Sequence, residues 1–147
     1  MTATQDNTTR LTKVHVSAAA ANTRRGGDIR VTLSPKTVGS TSGFGGRLYL
    51  GVGEYVTEHY HPYSEEFLHM VTGRLEMALN GVPVGLGPGD SLWVPIGVRH
   101  RLVNVGDEPA ECVFHLSPLA PRPELGHVDT EAPPNPGGAQ PDVGSAR

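Results

Sequence analysis

From residue 28 to residue 117 the chain is a succession of short apolar–polar alternations, and no ten-residue window there carries the 3.6-residue period of an amphipathic helix. "DIRVTLSP" (28–35) alternates until Pro35 ends it, and "SGFGG" (42–46) is a glycine-rich bend leading into "RLYLGV" (47–52). "YVTEHYH" (55–61), "EFLHMVTG" (66–73), "RLEMALN" (74–80), "VPVGL" (82–86), "SLWVP" (91–95), "HRLVNV" (100–105) and "ECVFHLS" (111–117) follow as further strands. The breaks between them are turn chemistry: "NG" at 80–81, "GPGD" at 87–90, "IGVR" at 96–99 and "GDEP" at 106–109. An Asn-Gly pair between alternating runs is the strongest of these, because both residues tolerate the positive φ of a tight hairpin. Many short strands at even spacing, with no helix caps in this region, predict an all-β domain, a sandwich or barrel.

The two ends read differently. Residues 1–26 are polar and Ala/Thr-rich and are expected to form an arm, partly flexible, with a short strand at "KVHV"; residues 27–120 form the domain. Residues 121–147 are an extension that should be disordered after about 131, where "APPNPGGAQPDVGSAR" offers a single Val against four prolines and three glycines. With 147 residues the chain is one domain, and its net charge of −3 gives no general attraction for nucleic acid or an anionic membrane. Arg24 and Arg25 read as a solvated turn. The single cysteine, Cys112, excludes an internal disulfide and reads as a small buried apolar residue. "MTATQDNTTR" lacks the apolar stretch of a signal peptide, and no run approaches a membrane span, so a cytoplasmic protein is expected.

Chemistry concentrates in "HYHPYSEEF" (59–67). On a strand, residues i and i+2 share a face, so His59 and His61 project together while Tyr60 points away. After the "PYSE" turn the chain returns, and Glu66 opens the next strand near their height. Some forty residues on, in "GDSLWVPIGVRH", a strand and a Pro/Gly turn lead to His100 at the head of another strand. Three imidazoles and a carboxylate make a mixed nitrogen and oxygen site for a divalent first-row metal.

"GEYVTEHYHPYSEEFLHMVTG" (53–73) and "GDSLWVPIGVRHRLVN" (89–104) resemble the two cupin motifs, with every defining position filled: Gly53, His59, His61, Glu66 and Gly73, then Gly89, Pro95, Gly97, His100 and Asn104. The resemblance implies a single-domain jelly-roll β-barrel with a metal held by His59, His61, Glu66 and His100. More narrowly, "RRGGDIRVTLSPKTVGSTSGF", "TEHYHPYSEEFL", "VPIGVRHRLVN" and "FHLSPLAPRPELGHVDTE" are similar to the small cupin polyketide cyclases of bacterial aromatic (type II) polyketide pathways. That likeness implies aldol cyclisation of a poly-β-ketone, free or carrier-protein bound, with zinc as the metal and Fe, Ni or Mn as alternatives. It leaves open whether Glu66 or a fourth histidine such as His69 completes the metal set.

Around this centre, strand phase nominates Leu68 and Met70, on the face of Glu66, and Leu102 and Asn104, on that of His100, as the substrate pocket. His69, Tyr60 and Arg101 are the candidates for proton transfer, although His69 stands one register out and faces the pocket only across a bulge. His115 is a weaker pocket candidate, Glu65 an exposed turn carboxylate, and His15 and His127 receive no role. Trp93, Phe44, Phe67, Phe114 and Met77 are assigned to the core. Two rival functions stand beside the cyclase: a cupin dioxygenase or monooxygenase acting on an aromatic intermediate with a redox metal, and a non-catalytic cupin with a closed metal shell. A homodimer is expected, because jelly-roll edges need cover and "DIRVTL" is a plausible exchanged strand.

Overall fold

The computed structural model describes residues 12–144. The start of the expected arm, residues 1–11, and the end of the expected extension, residues 145–147, lie outside them. Ten strands form in chain order: β1 (Asp28–Leu33), β2 (Phe44–Leu50), β3 (Tyr55–Tyr60), β4 (Glu65–Thr72), β5 (Leu75–Leu79), β6 (Val82–Leu86), β7 (Ser91–Val94), β8 (His100–Asn104), β9 (Ala110–Ser117) and β10 (Val128–Asp129). They pair antiparallel into two five-stranded sheets, one ordered β1-β2-β9-β4-β7 and the other β10-β3-β8-β5-β6. The expected all-β jelly roll is what forms, and no helix among the described residues is long and apolar enough to cross a membrane.

The hairpin chemistry is local. Asn80 and Gly81 both take positive φ, 48° and 82°, as the tight turn between β5 and β6 demands. Gly73 ends β4 with φ 76°, and a Cβ there would lie 2.6 Å from the Cα of Ala110, so no side chain fits. Alternation then decides what is inside. Leu68 and Met70 of β4, Leu75 and Met77 of β5, Leu102 of β8 and Cys112 of β9 turn inward and pack with Leu48, Leu50 and Val56 into one core between the sheets.

The same alternation corrects two core assignments. Phe67 and Trp93 are 54% and 53% exposed and stand opposite one another on the outer face of β4 and β7. Each sits one position from a residue that must face inward, Leu68 or Val94, and phase overrides hydrophobicity.

The chain ends also differ from expectation. "KVHV" forms no strand; a 3₁₀ turn, Val16–Ala18, closes it instead. A single helical turn, α1 (Pro35–Val38), follows β1, with Ser34 and Thr37 exchanging capping hydrogen bonds. Residues 132–144, expected to be disordered, are laid against the N-terminal arm. Asn135 donates through Nδ2 to Thr23 O at 2.7 Å, Arg24 Nη1 donates to Gly138 O at 2.9 Å, and Asn22 Nδ2 donates to Ala139 O at 3.0 Å. Lys36 pairs with Asp142 at 2.8 Å, and Val143 is buried against Phe44 and Leu116. The tail needs no core of its own, because its polar backbone is satisfied by the arm and its one apolar side chain by the barrel.

Met77 is fully buried at the centre of the main core. Met77→Ala should cost about 2–5 kcal/mol in urea denaturation with the slope m unchanged, the signature of a cavity in an otherwise intact fold.

Candidate metal centre

His59 and His100 lie directly opposite one another across the β3–β8 pair, so both rings project from the inner face of the second sheet. His61 follows β3 and is pinned by the turn before β8, where Gly97, at φ 80°, donates its N–H to His61 O at 3.0 Å. Glu66 arrives from the opposite sheet near the start of β4, paired with Leu116 and Val94. Three imidazoles therefore come from one sheet and the carboxylate from the other.

Each imidazole is aimed by its own backbone bond. Nδ1 of His59 lies 2.8 Å from Thr57 O, Nδ1 of His61 3.0 Å from Gly126 O, and Nδ1 of His100 3.0 Å from Val98 O. A carbonyl only accepts, so each Nδ1 carries the hydrogen and each Nε2 is left with a lone pair. One nitrogen from each ring lies within 4.8 Å of the others. Nε2 of His61 and of His100 is buried and has no hydrogen-bond partner among the described residues. Buried lone pairs with nothing to accept are costly unless something is bound there. A divalent cation suits this donor set: three neutral imidazoles, each fixed in tautomer from behind. Oε1 of Glu66 comes to 3.1 Å from His100 Nε2 and 3.5 Å from His61 Nε2, close enough to join the same centre.

The electrostatics follow from burial. Desolvation, aided by the charges of His100 and His61, holds the His59 imidazole well below its usual range. For Glu66, burial pushes the carboxyl up, but His100 and His61 outweigh it and hold it well below the carboxylate range. His100 is drawn the other way: burial lowers it, and the facing Glu66 carboxylate more than restores the proton affinity. Burial and the charge of His61 keep His127 well below its usual range.

His127, given no role by sequence, is in the site. Its ring centroid is 4.7 Å from that of His61 and 6.1 Å from that of His59, and its buried Nδ1 has no partner among the described residues. It arrives on the loop before β10, far from either motif, and no periodic pattern marks it.

A cavity of about 70 Å³ adjoins the cluster. Leu68 and Leu102 line it with Val56, Phe114 and Leu116, while Asn22, Arg25 and Pro141 from the two chain ends complete the wall. Met70 and Asn104, nominated as pocket residues, do not line it: Met70 belongs to the core, and Asn104 donates to Leu50 O and Glu108 O to fasten loops. The proton-transfer candidates are also placed elsewhere. His69 is exposed on the outer face, 2.7 Å from Ser91 Oγ; Arg101 binds Glu131 at 2.9 Å and lies over the Tyr55 ring; Tyr60 pairs with Val128 in β10. None lines the cavity. His115 lies with His69, Phe67 and Trp93 along a groove on the outer face.

Residues 46–116 match the family profile described as Cupin domain. The polyketide synthase CurC of Streptomyces cyaneus is 58% identical over 120 residues, 82% of this chain and 78% of its own. The tetracenomycin polyketide synthase protein TcmJ of Streptomyces glaucescens is 52% identical over 132 residues, 90% of this chain and 89% of its own. Among solved structures, the polyketide cyclase RemF from Streptomyces resistomycificus shares the fold, with TM-score 0.65 at 15% identity over 86% of this chain and 89% of its own.

His59 and His127 are held neutral in the fold but take up protons near their ordinary value of 6.5 once unfolded. The unfolded state then binds more protons, so stability falls as pH drops through that value. His100, with its raised folded value, acts in the opposite sense and offsets one of the two. The melting temperature of metal-free protein should therefore fall between about pH 7.5 and about pH 5.5; a rise would mean that the cluster is protonated in the fold.

Proposed function

The chain belongs to the cupins, among the small proteins of bacterial aromatic polyketide pathways, and from that premise we propose that it is a metal-dependent polyketide cyclase. It closes rings in a poly-β-ketone chain by aldol condensation and loss of water. The observation that supports this reading best is the convergence of three backbone-oriented imidazoles within 4.8 Å beside an apolar cavity.

His59, His61 and His100 would hold the ion through Nε2, with Glu66 as an oxygen ligand, and zinc suits a reaction that needs no electron transfer. Bound there, a divalent ion supplies Lewis acidity to the carbonyl oxygen of the chain. The remaining work falls to the protein. A methylene between two carbonyls is already acidic, so the harder problem is choosing one pair of carbons among many competing closures. Val56, Leu68, Leu102, Phe114 and Leu116 address it by confining the chain in one folded arrangement and excluding water. Ring closure moves the methylene proton to a base and forms the carbon–carbon bond, and the protonated base returns that proton to the alkoxide left on the attacked ketone, which becomes a hydroxyl. Elimination of that hydroxyl with a proton from the adjacent carbon releases water, and enolisation of the remaining ring ketones then gives the aromatic ring.

His127, whose buried Nδ1 has no partner among the described residues, is the proton acceptor this reading favours over His69, Tyr60 and Arg101, which lie off the cavity. Because 70 Å³ is less than the roughly 300–1,000 Å³ of ligand pockets, the tail around Pro141 must yield to admit a chain. Two copies are taken to associate through the outer face that bears Phe67 and Trp93.

His100→Ala in the presence of a reconstituted polyketide synthase should abolish stoichiometric metal binding, lower kcat/KM by about a hundredfold or more, and return the ring pattern of uncatalysed closure. Products and rates matching the unaltered protein would refute the reading.

A further inference from the structure

Arg25 was expected in a solvated turn, yet it is 3% exposed and lines the cavity beside the histidines. Its position is fixed from three sides. Gly26, at φ 104°, brings the arm flat onto β3, where a Cβ would collide with Tyr55 O, and Arg25 O accepts from Thr57 N at 2.9 Å. Thr57 is the residue whose carbonyl also orients His59. The guanidinium donates from Nε to Asp129 Oδ1 at 2.7 Å and from Nη2 to Asp129 Oδ2 at 3.4 Å, and Asp129 stands opposite His59 in the β10–β3 pair. Nη2 also donates to Gln140 Oε1 at 3.3 Å in the tail.

Arg25 is thus anchored to Thr57, which orients the His59 ring, and to Asp129, which stands opposite His59, and the charge it would otherwise bring is paired with Asp129. Two of its three nitrogens are engaged, whereas Nη1 makes no hydrogen bond among the described residues. A clamp joining arm, strand and tail is complete with Nε and Nη2. The remaining N–H donors, held rigid beside a cavity whose other walls are mostly apolar, have a preset direction and little rotamer freedom left to lose on binding.

We infer that Arg25 is a ligand-binding residue whose Nη1 holds a carbonyl or enolate oxygen of a 1,3-dicarbonyl, a second point of attachment beside the histidine cluster. It rests on the cyclase reading for the choice of ligand class. A diketone segment fixed at both the histidines and Arg25 presents one pair of carbons for closure, which a single attachment does not do.

The test uses full-length protein stripped of metal and pentane-2,4-dione as probe, followed by NMR titration, with melting temperature recorded for every variant. Arg25→Gln and Arg25→Lys should each weaken binding by roughly tenfold or more, the loss expected for a hydrogen bond to a charged donor. Asp129→Asn, which breaks the ion pair but leaves Arg25 in the cavity, should keep most of the affinity while lowering the melting temperature. Arg25→Lys decides the matter if Arg25→Gln does not fold. Binding by folded Arg25→Lys equal to that of the unaltered protein would overturn the assignment. So would losses in all three variants that simply follow their melting temperatures, since a clamp alone predicts that. If the unaltered protein binds the diketone through Arg25 yet closes no ring, the cyclase reading fails and this site stands.

Discussion

Three backbone carbonyls, of Thr57, Val98 and Gly126, set the chemistry of this molecule. By accepting from the Nδ1 hydrogens of His59, His100 and His61 they leave three Nε2 lone pairs facing one point in the interior. Those lone pairs cannot turn to water, because the rings are buried between two sheets. The barrel must therefore either take up a proton between Glu66 and the imidazoles or bind a cation that takes the lone pairs. Much else in the fold serves this arrangement. The β3–β8 register puts His59 opposite His100, the Gly97 turn ties His61 to the start of β8, and β4 delivers Glu66 from the facing sheet.

The cluster lies where the two chain ends meet. The arm reaches β3 through Arg25 and Thr57, and β10 reaches it through Asp129 opposite His59. The tail closes on the arm through Asn135, Gly138, Ala139 and Gln140. Segments that contribute little to the core thus complete the wall of the cavity. A small barrel gains a shaped site in this way without enlarging its hydrophobic centre.

What the sequence made legible is what short-range geometry controls. His59 and His61 share a face because a strand alternates, and the turns at 80–81 and 96–99 announce themselves by Asn-Gly and Pro-x-Gly. The all-β class followed from the even spacing of short strands, and the jelly roll was implied by the cupin resemblance. Residues brought in over long separations were not legible. His127 reaches the cluster from an irregular loop, and Arg25 looked like a solvated turn because its partners, Asp129 and Gln140, lie 104 and 115 residues away. The tail misled for a related reason: its composition measures what it can bury by itself, whereas its order comes from the arm. Phe67 and Trp93 were placed inside by hydrophobicity when their phase had already put them outside, and Met70 and Asn104 share a face with site residues but sit beyond the reach of the cavity.

The measurement that bears most directly on this account is the metal content of protein purified without chelator, together with X-ray absorption at the edge of whatever metal is found. The account predicts close to one equivalent of zinc per chain, in a shell of about three imidazole nitrogens with oxygen ligands completing it. Absence of metal that re-addition does not reverse would contradict the claim that the three Nε2 atoms are a metal centre. Iron, nickel or manganese at the same stoichiometry would contradict the redox-free cyclase and turn the reading toward oxygen chemistry.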